Sequence, residues 1–273
     1  MSSQAEDDHY YRMILERLEA AKGYEEAAEG DSRPWDVEPC SALAGDDRKA
    51  DPYHVSHMAW QSLTVAVDHL HCFRESLVQE VEDKLSLTLY SYSQYSLMRG
   101  ALENSARAAW LLGPSSRAVR IERRLALQAS DHRASDRLRE LLGATPPRPL
   151  PVRMRQLVLL AVNAGISVDD GSTEKRLRGG AQTTEIVKAA GGVIGMGGNE
   201  AQAVWSACSS LAHGDLHSTL SILDREITES DATTALLRVT SSPKVLYWVT
   251  DRSVRMTEMA FKLYDDRRRC QLN

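Results

Sequence analysis

The segment from Trp205 to His217 carries the side chains of this sequence that are best suited to chemistry. His213 and His217 lie four residues apart, and Ser206 and Ser210 precede them at spacings of four and three. Residues at these spacings share one face of an α-helix, so a helical segment would gather them into a polar stripe. Small polar residues let a second helix approach closely. We therefore predict a seam between packed helices, with the histidines hydrogen-bonded across the contact.

Metal binding is an alternative for the same stripe, because His213 and His217 would project side by side and both imidazoles could reach one ion. The zincin pattern needs a glutamate directly after the first histidine as general base, and Gly214 stands there instead. Further ligands would have to come from other helices, and the candidates are His57, Asp68 and His69. We expect neither a bound metal nor another cofactor.

Serine chemistry is a second alternative, since Ser206, Ser209 and Ser210 lie close to His213 in the sequence. No Gly-x-Ser-x-Gly elbow accompanies them. A serine in the middle of a helix is also poorly exposed for attack, and no oxyanion-hole element is recognisable. Ser210 therefore remains a candidate only if the protein is an enzyme.

Arg99, Glu103 and Arg107 form a ladder at successive spacings of four, in which the carboxylate lies between two guanidinium groups on a helix. If exposed, each pair contributes only about 0.3–0.5 kcal/mol. Tyr92 and Trp110 flank the same side, and partial cover by them would favour anion binding. The candidate catalytic residues are therefore His213, Ser210, Arg99 and Glu103.

A local basic surface is predicted from four arginines that follow closely on one another, namely Arg117, Arg120, Arg123 and Arg124. RNA would be the phosphate-bearing ligand of such a surface. Nearby acidic residues dilute it, and the net charge of -5 provides no general attraction to nucleic acid. The glycine run 191–198 has neither the GxGxxG spacing nor a following Gly-Lys-Ser/Thr, so it is interpreted as a flexible connector and not as a nucleotide loop.

Composition places the chain among ordinary globular proteins, because 42% of its 273 residues are hydrophobic and 26% are charged. Its four cysteines (Cys40, Cys72, Cys208 and Cys270) form no CxxC pair, and free, mostly buried thiols are predicted. No apolar run approaches the roughly 20 residues that cross a bilayer, and the N-terminus lacks the features of a signal peptide. We expect no membrane association and a cytoplasmic location. The excess of arginine over lysine, 26 to 7, is typical of GC-rich bacterial genomes.

The elements that must position these residues are predicted to be helices. Tyr10, Ile14, Leu18 and Ala21 show the helical period, and the stretches 53–113 and 152–242 contain no proline. The predicted fold class is all-α, a single bundle of about seven or eight helices, with residues 1–50 as an N-terminal helix and polar loop and residues 51–273 as the bundle domain. Predicted helices cover 6–22, 52–84, 86–112, 116–142, 152–164, 184–190, 199–223 and 243–268. The stretches 23–50 and 165–180 are predicted loops, with Trp35 anchoring the first, and 235–240 is the one predicted strand.

Two segments carry a resemblance to a known group of proteins. They are Arg99-Gly100-Ala101-Leu102-Glu103, running on to Trp110-Leu111-Leu112, and Ser209-Ser210-Leu211-Ala212-His213-Gly214. They resemble uncharacterised bacterial all-helical proteins of actinobacterial type that look related to the HEPN-like helical bundles. The resemblance implies a helical bundle, dimerisation, and a link to toxin–antitoxin or phage-defence systems.

Active HEPN ribonucleases also place an arginine four to six residues before a histidine on one helix. Before His213 the corresponding places hold Ser206, Ala207 and Cys208, so the arginine is missing. We therefore predict a non-enzymatic helical bundle that acts through association with a protein partner or with itself. The alternative function is a HEPN-like ribonuclease or a metal-dependent enzyme that uses His213.

Overall fold

The computed structural model describes residues 4–29, 35–81, 84–166, 170–180, 182–231 and 233–270, which form eleven helices and two antiparallel hairpins. The elements are α1 (Gln4–Glu29), α2 (Ala42–Ala50), α3 (Val55–Leu77), β1 (Val78–Val81), β2 (Lys84–Leu87), α4 (Ser93–Leu112), α5 (Arg117–Leu141), α6 (Leu150–Asn163), α7 (Asp170–Gly179), α8 (Thr183–Val193), α9 (Gly198–Ala212), α10 (Leu216–Ile222), β3 (Asp224–Ser230), β4 (Ala235–Thr240) and α11 (Pro243–Arg268). The predicted all-α bundle is confirmed. The helices beyond the predicted seven or eight are α2, α7 and the separate α10.

Helix α4 lies at the centre of the bundle, where it packs against α3, α11, α8 and α9. A Cβ on Gly100 would lie 2.1 Å from Cδ2 of His69, so a larger residue at this contact between α3 and α4 would require the His69 ring to move. Two hydroxyls buried in this core pair with each other, since Ser105 on α4 and Thr257 on α11 share a 2.7 Å hydrogen bond. Of the helices in the described part of the chain, none is long and apolar enough to cross a membrane.

The predicted loop over residues 23–50 is wrong in part: α1 continues to Glu29 and α2 covers Ala42–Ala50, while 35–41 form a loop. Glu25 is buried and its carboxylate lies 2.8 Å from Nη1 of Arg74 on α3, so a polar residue faces the core with a charged partner. Ser41 caps α2 by accepting a 3.1 Å hydrogen bond from the Ala44 amide. Tertiary pairing therefore makes this polar stretch helical. Residues 30–34 of the predicted loop lie outside the described residues.

Other predicted boundaries also differ from the structure, and the helix predicted to begin at residue 86 begins at Ser93. The helix predicted to reach residue 84 ends at Leu77, and the chain continues into the β1–β2 hairpin. Part of the predicted loop 165–180 is helix α7. The strand predicted over 235–240 is confirmed as β4, but its partner β3 was not predicted. Short hairpins are missed because their alternation is too brief to outweigh the helical period on either side.

The prediction of four free thiols is also wrong, because Cys40 and Cys270 form a disulfide with their Cα atoms 5.1 Å apart. The bond fixes the segment before α2 to the end of α11. The Glu38 amide donates a 2.9 Å hydrogen bond to the Arg268 carbonyl beside it. Cys72 is free and exposed, and Cys208 is free and buried. A separation of 230 residues gives no local signal from which this pairing could be predicted.

Candidate functional site

The predicted helix 199–223 is interrupted at the residues that were to carry the polar stripe. Helix α9 ends at Ala212, and Gly214 adopts a left-handed conformation with φ of +71°. The Asp215 amide donates a 3.0 Å hydrogen bond to the Ser210 carbonyl, and α10 begins after it. His213 and His217 therefore lie on opposite sides of a turn and not on one helical face, so the prediction of a continuous stripe is wrong.

Both histidines are exposed, and within the described residues their side chains make no hydrogen bond or ion pair. The expected hydrogen bonds across a helix seam are thus not formed by His213 or His217. In the same part of the chain, no group of three or more His, Cys, Asp or Glu side chains is arranged to hold a metal ion. Ser210 is half-buried and contributes its carbonyl oxygen to the turn.

The structure does bring together Arg99, Glu103 and Trp205, at the contact between α4 and α9. The Trp205 indole Nε1 donates a 3.1 Å hydrogen bond to Oε2 of Glu103, and Nε of Arg99 lies 3.5 Å from the same oxygen. The Arg99 guanidinium also lies 5.4 Å from the Trp205 ring centroid. Trp205 therefore lies at a contact between two helices, and this contact is made with Glu103 and Arg99 and not with the predicted His213 and serine stripe. Arg107 departs from the ladder, since its Nη1 bonds the Asn104 side chain at 3.4 Å.

This cluster joins two helices and does not assemble a reactive centre. One Glu103 oxygen is occupied by both the indole and the guanidinium, and no described contact connects Ser210 or His213 to it. Cys208 lies on the same helix as Trp205, where burial raises the pKa of its thiol to about 12, partly offset by Arg99. The thiol is therefore neutral at pH 7 and a poor nucleophile.

The four arginines of α5 do not form the predicted basic surface, because Arg120 and Arg124 are buried. Arg120 pairs with the buried Asp46, and Nε of Arg124 donates a 3.0 Å hydrogen bond to the His54 carbonyl. Burial lowers the pKa of Arg124 below its usual value. Arg123 stacks on the Trp110 ring, with its guanidinium 4.7 Å from the ring centroid. Arg120, Arg123 and Arg124 thus bind or stack on other groups of the protein, so they provide no argument for an RNA partner.

Strands β3 and β4 form a β-hairpin arm, defined as residues Asp224–Thr240, of which only the β4 strand was predicted from the sequence. Every β3 side chain is exposed, and the apolar Ile227 and Leu236 are 64% and 60% exposed. Among the described residues each strand pairs only with the other. The base of β4 rests on the helical body, since Val239 packs against the core and its carbonyl accepts a 3.4 Å hydrogen bond from the Ser91 hydroxyl. The turn is ordered by Asp231, whose carboxylate accepts 2.7 Å hydrogen bonds from the Thr233 and Thr234 amides. These bonds lower the Asp231 pKa to about 2.

A cleft near the C-terminal end of α11, away from the β-hairpin arm, was also not predicted from the sequence. Its walls include Trp35, Trp60 and Tyr264, it contains Asp36 and Asp47, and its volume is about 530 Å³. The sequence carried one signal for it, because a tryptophan in an acidic stretch was predicted to anchor that stretch. The anchor is confirmed, since the Trp35 ring centroid lies 5.4 Å from that of Phe261 on α11.

Comparison of the chain with protein-family models, with curated proteins and with solved structures gives no match, so no family is shown for it.

Proposed function

We propose that this protein is a non-enzymatic helical bundle that acts by associating with another protein or with a second copy of itself, and that the β-hairpin arm is the associating element. The observation that carries the proposal is the exposure of every β3 side chain and of Leu236 on β4, in a ribbon that has no third strand among the described residues. A two-stranded ribbon alone is marginally stable in water, whereas a third strand would pair an edge and cover the exposed apolar residues.

The energetics of the arm favour its burial in a complex. Full burial of a side chain such as Ile227 or Leu236 contributes about 1.5–3 kcal/mol relative to its exposed state. Pairing of an outer edge would also satisfy a row of backbone amide and carbonyl groups with a partner strand. The ion pair between Arg238 and Glu226 spans 3.8 Å across the ribbon at high exposure, so it contributes little to holding the arm rigid.

The resemblance to HEPN-like bundles supports the same proposal, because it implies dimerisation and partnership in toxin–antitoxin or phage-defence systems. The missing arginine before His213 and the lack of contacts at that histidine support a non-enzymatic role. A cytoplasmic location and a bacterial source are part of the proposal. In a reducing cytoplasm Cys40 and Cys270 would be thiols, so the oxidation state of this pair in cells tests the location.

The test is light scattering with size exclusion on the wild type and on the double variant Ile227→Lys/Leu236→Lys. Leu141→Lys is the matched control, since this leucine is 77% exposed but lies outside the arm. We expect a wild-type dimer that the arm variant converts to monomer and the control leaves intact. For a partner other than itself, a photo-crosslinking residue at position 227 should give an adduct in cells that the same residue at position 141 does not give. A monomeric wild type with no adduct specific to position 227 contradicts the proposal.

A further inference from the structure

The cleft beside Trp35, here called the aromatic cleft, lies where the segment before α2 crosses α3 and α11. Its lining includes Trp35, Asp36, Asp47, Trp60 and Tyr264. Its volume of about 530 Å³ falls in the range of small-molecule sites. The lining includes two carboxylates, three aromatic rings, and no lysine or arginine. Both the charge and the aromatic surface therefore favour a positively charged ligand.

The aromatic rings form a connected wall around Trp60. Its ring centroid lies 5.8 Å from that of Trp35 and 5.2 Å from that of Tyr264. Phe261 supports the wall from the protein interior, with its centroid 6.1 Å from Trp60. Faces of tryptophan and tyrosine attract cations through the negative potential of the ring, most strongly where water is excluded. Several such faces in one cleft are the arrangement that recognises alkylated ammonium groups.

The two carboxylates of the cleft, Asp36 and Asp47, differ from the neighbouring Asp46 in their lack of an ion-pair partner among the described residues. Asp46 is buried and paired with both Arg117 and Arg120. Asp47, the next residue, accepts hydrogen bonds from the Ser56 amide at 3.1 Å and the Ser56 hydroxyl at 2.5 Å. Within the described residues, neither Asp47 nor Asp36 has an ion-pair partner. Neither carboxylate is therefore held in a direct ion pair, and the charges of Arg124 and Arg268 act on this region from outside the lining of the cleft.

The ionisation of Tyr264 shows the same electrostatic environment. Burial, followed by the charge of Asp47, raises the pKa of Tyr264 to about 12, while Arg268 acts in the opposite direction. The phenol therefore stays neutral and adds no further negative charge at pH 7. Arg268 does not line the cleft; its guanidinium lies 5.1 Å from the Trp35 ring centroid.

The wall that Trp35 provides is held in place before any ligand binds. Arg268 Nη1 donates a 3.3 Å hydrogen bond to the Asp36 carbonyl, and the Glu38 amide bonds the Arg268 carbonyl. The disulfide between Cys40 and Cys270 closes the same segment onto the end of α11. A site that is formed in advance loses less free energy to ordering when it binds.

We propose that the aromatic cleft binds a small organic ammonium ion, with the cationic group against Trp35, Trp60 and Tyr264 and its charge balanced by Asp36 and Asp47. A bare tetramethylammonium group would leave much of the cleft empty, so the ligand carries a larger body. His57 and Gln61 are exposed in the lining and supply polar contacts for that body.

The test uses choline as a cationic probe and 3,3-dimethylbutan-1-ol as its neutral isostere, each titrated calorimetrically into the full-length protein with the disulfide intact. We expect saturable choline binding, and binding of the neutral alcohol at least about tenfold weaker, since only the cation gains from ring faces and carboxylates. Equal affinities would overturn the proposal. So would the absence of saturable choline binding below about 10 mM.

Variants locate the binding in the cleft. Trp60→Leu should weaken choline binding roughly 3- to 30-fold, the range of one desolvated cation–π contact. Trp205→Leu is the matched control, a half-buried tryptophan outside the cleft, and should leave the affinity unchanged. Because Trp60→Leu also loses packing, Asp36→Asn provides a variant at an exposed position, with an expected loss of roughly two- to fivefold. Asp68→Asn is its exposed control on α3. Losses of equal size in a control and its cleft variant would refute the assignment.

Discussion

Replacing Arg120 by methionine is expected to lower the free energy of unfolding by about 3–5 kcal/mol, because it leaves a buried carboxylate without its main partner. Asp46 is 0% exposed and Arg120 is 2% exposed. Nε and Nη2 of Arg120 donate hydrogen bonds of 2.6 and 2.9 Å to the two Asp46 oxygens, and Nη1 donates to the carbonyls of Pro114 and Ser115 at 2.8 Å each. Methionine matches the length of the side chain but removes all four of these bonds.

Arg117→Met is the control for this prediction, because Arg117 bonds the same carboxylate at 3.1 Å but is 52% exposed. We expect it to cost no more than about 1 kcal/mol. The double variant Asp46→Leu/Arg120→Met should recover much of the loss, since no charge then remains buried. Urea denaturation followed by circular dichroism gives each value from the midpoint at constant slope. If Arg120→Met lowers the free energy of unfolding as little as Arg117→Met does, the reasoning about the buried pair is refuted.

Three further outcomes are expected. Thiol titration of the folded protein should detect Cys72 alone, and unfolding without reductant should add Cys208. Reduction should then release two more thiols, those of the disulfide. Four thiols without reductant would contradict the disulfide. Burial, followed by Arg153, lowers the pKa of His132 below its ordinary 6.5, so its contribution to stability is present above that pH and is lost as the pH falls through the lowered value. His132→Phe should therefore reduce the loss of stability measured between about pH 7.5 and about pH 5.5, and an unchanged loss would argue against this cause. His213→Ala should change the free energy of unfolding by less than about 0.5 kcal/mol, because the side chain is exposed and makes no described contact; a larger loss in urea denaturation would contradict its placement.

Local signals in the sequence were sufficient for much of the fold. The last helix was predicted from Pro243 to Arg268 and has these limits, because a proline after two serines marks its start and helical periodicity continues to its end. The strand over 235–240 was also predicted correctly from alternation and β-branched residues. Among the site residues, the spacing of Arg99 and Glu103 predicted an ion pair that the structure contains. Such features depend on neighbours within a few residues.

The sequence by itself determined the helical class and, to within two residues, the limits of α5, α6 and α11, since periodicity and capping act over one or two turns. Only the tertiary structure decided the environment of each polar side chain. Asp46 and Asp47 are adjacent and chemically identical, yet one is buried between arginines and the other lines an acidic cleft. A turn at Gly214 separates His213 from His217, and Cys40 forms a disulfide with Cys270, 230 residues away. Burial and long-range pairing depend on which helices meet, and spacing along the chain does not encode those contacts.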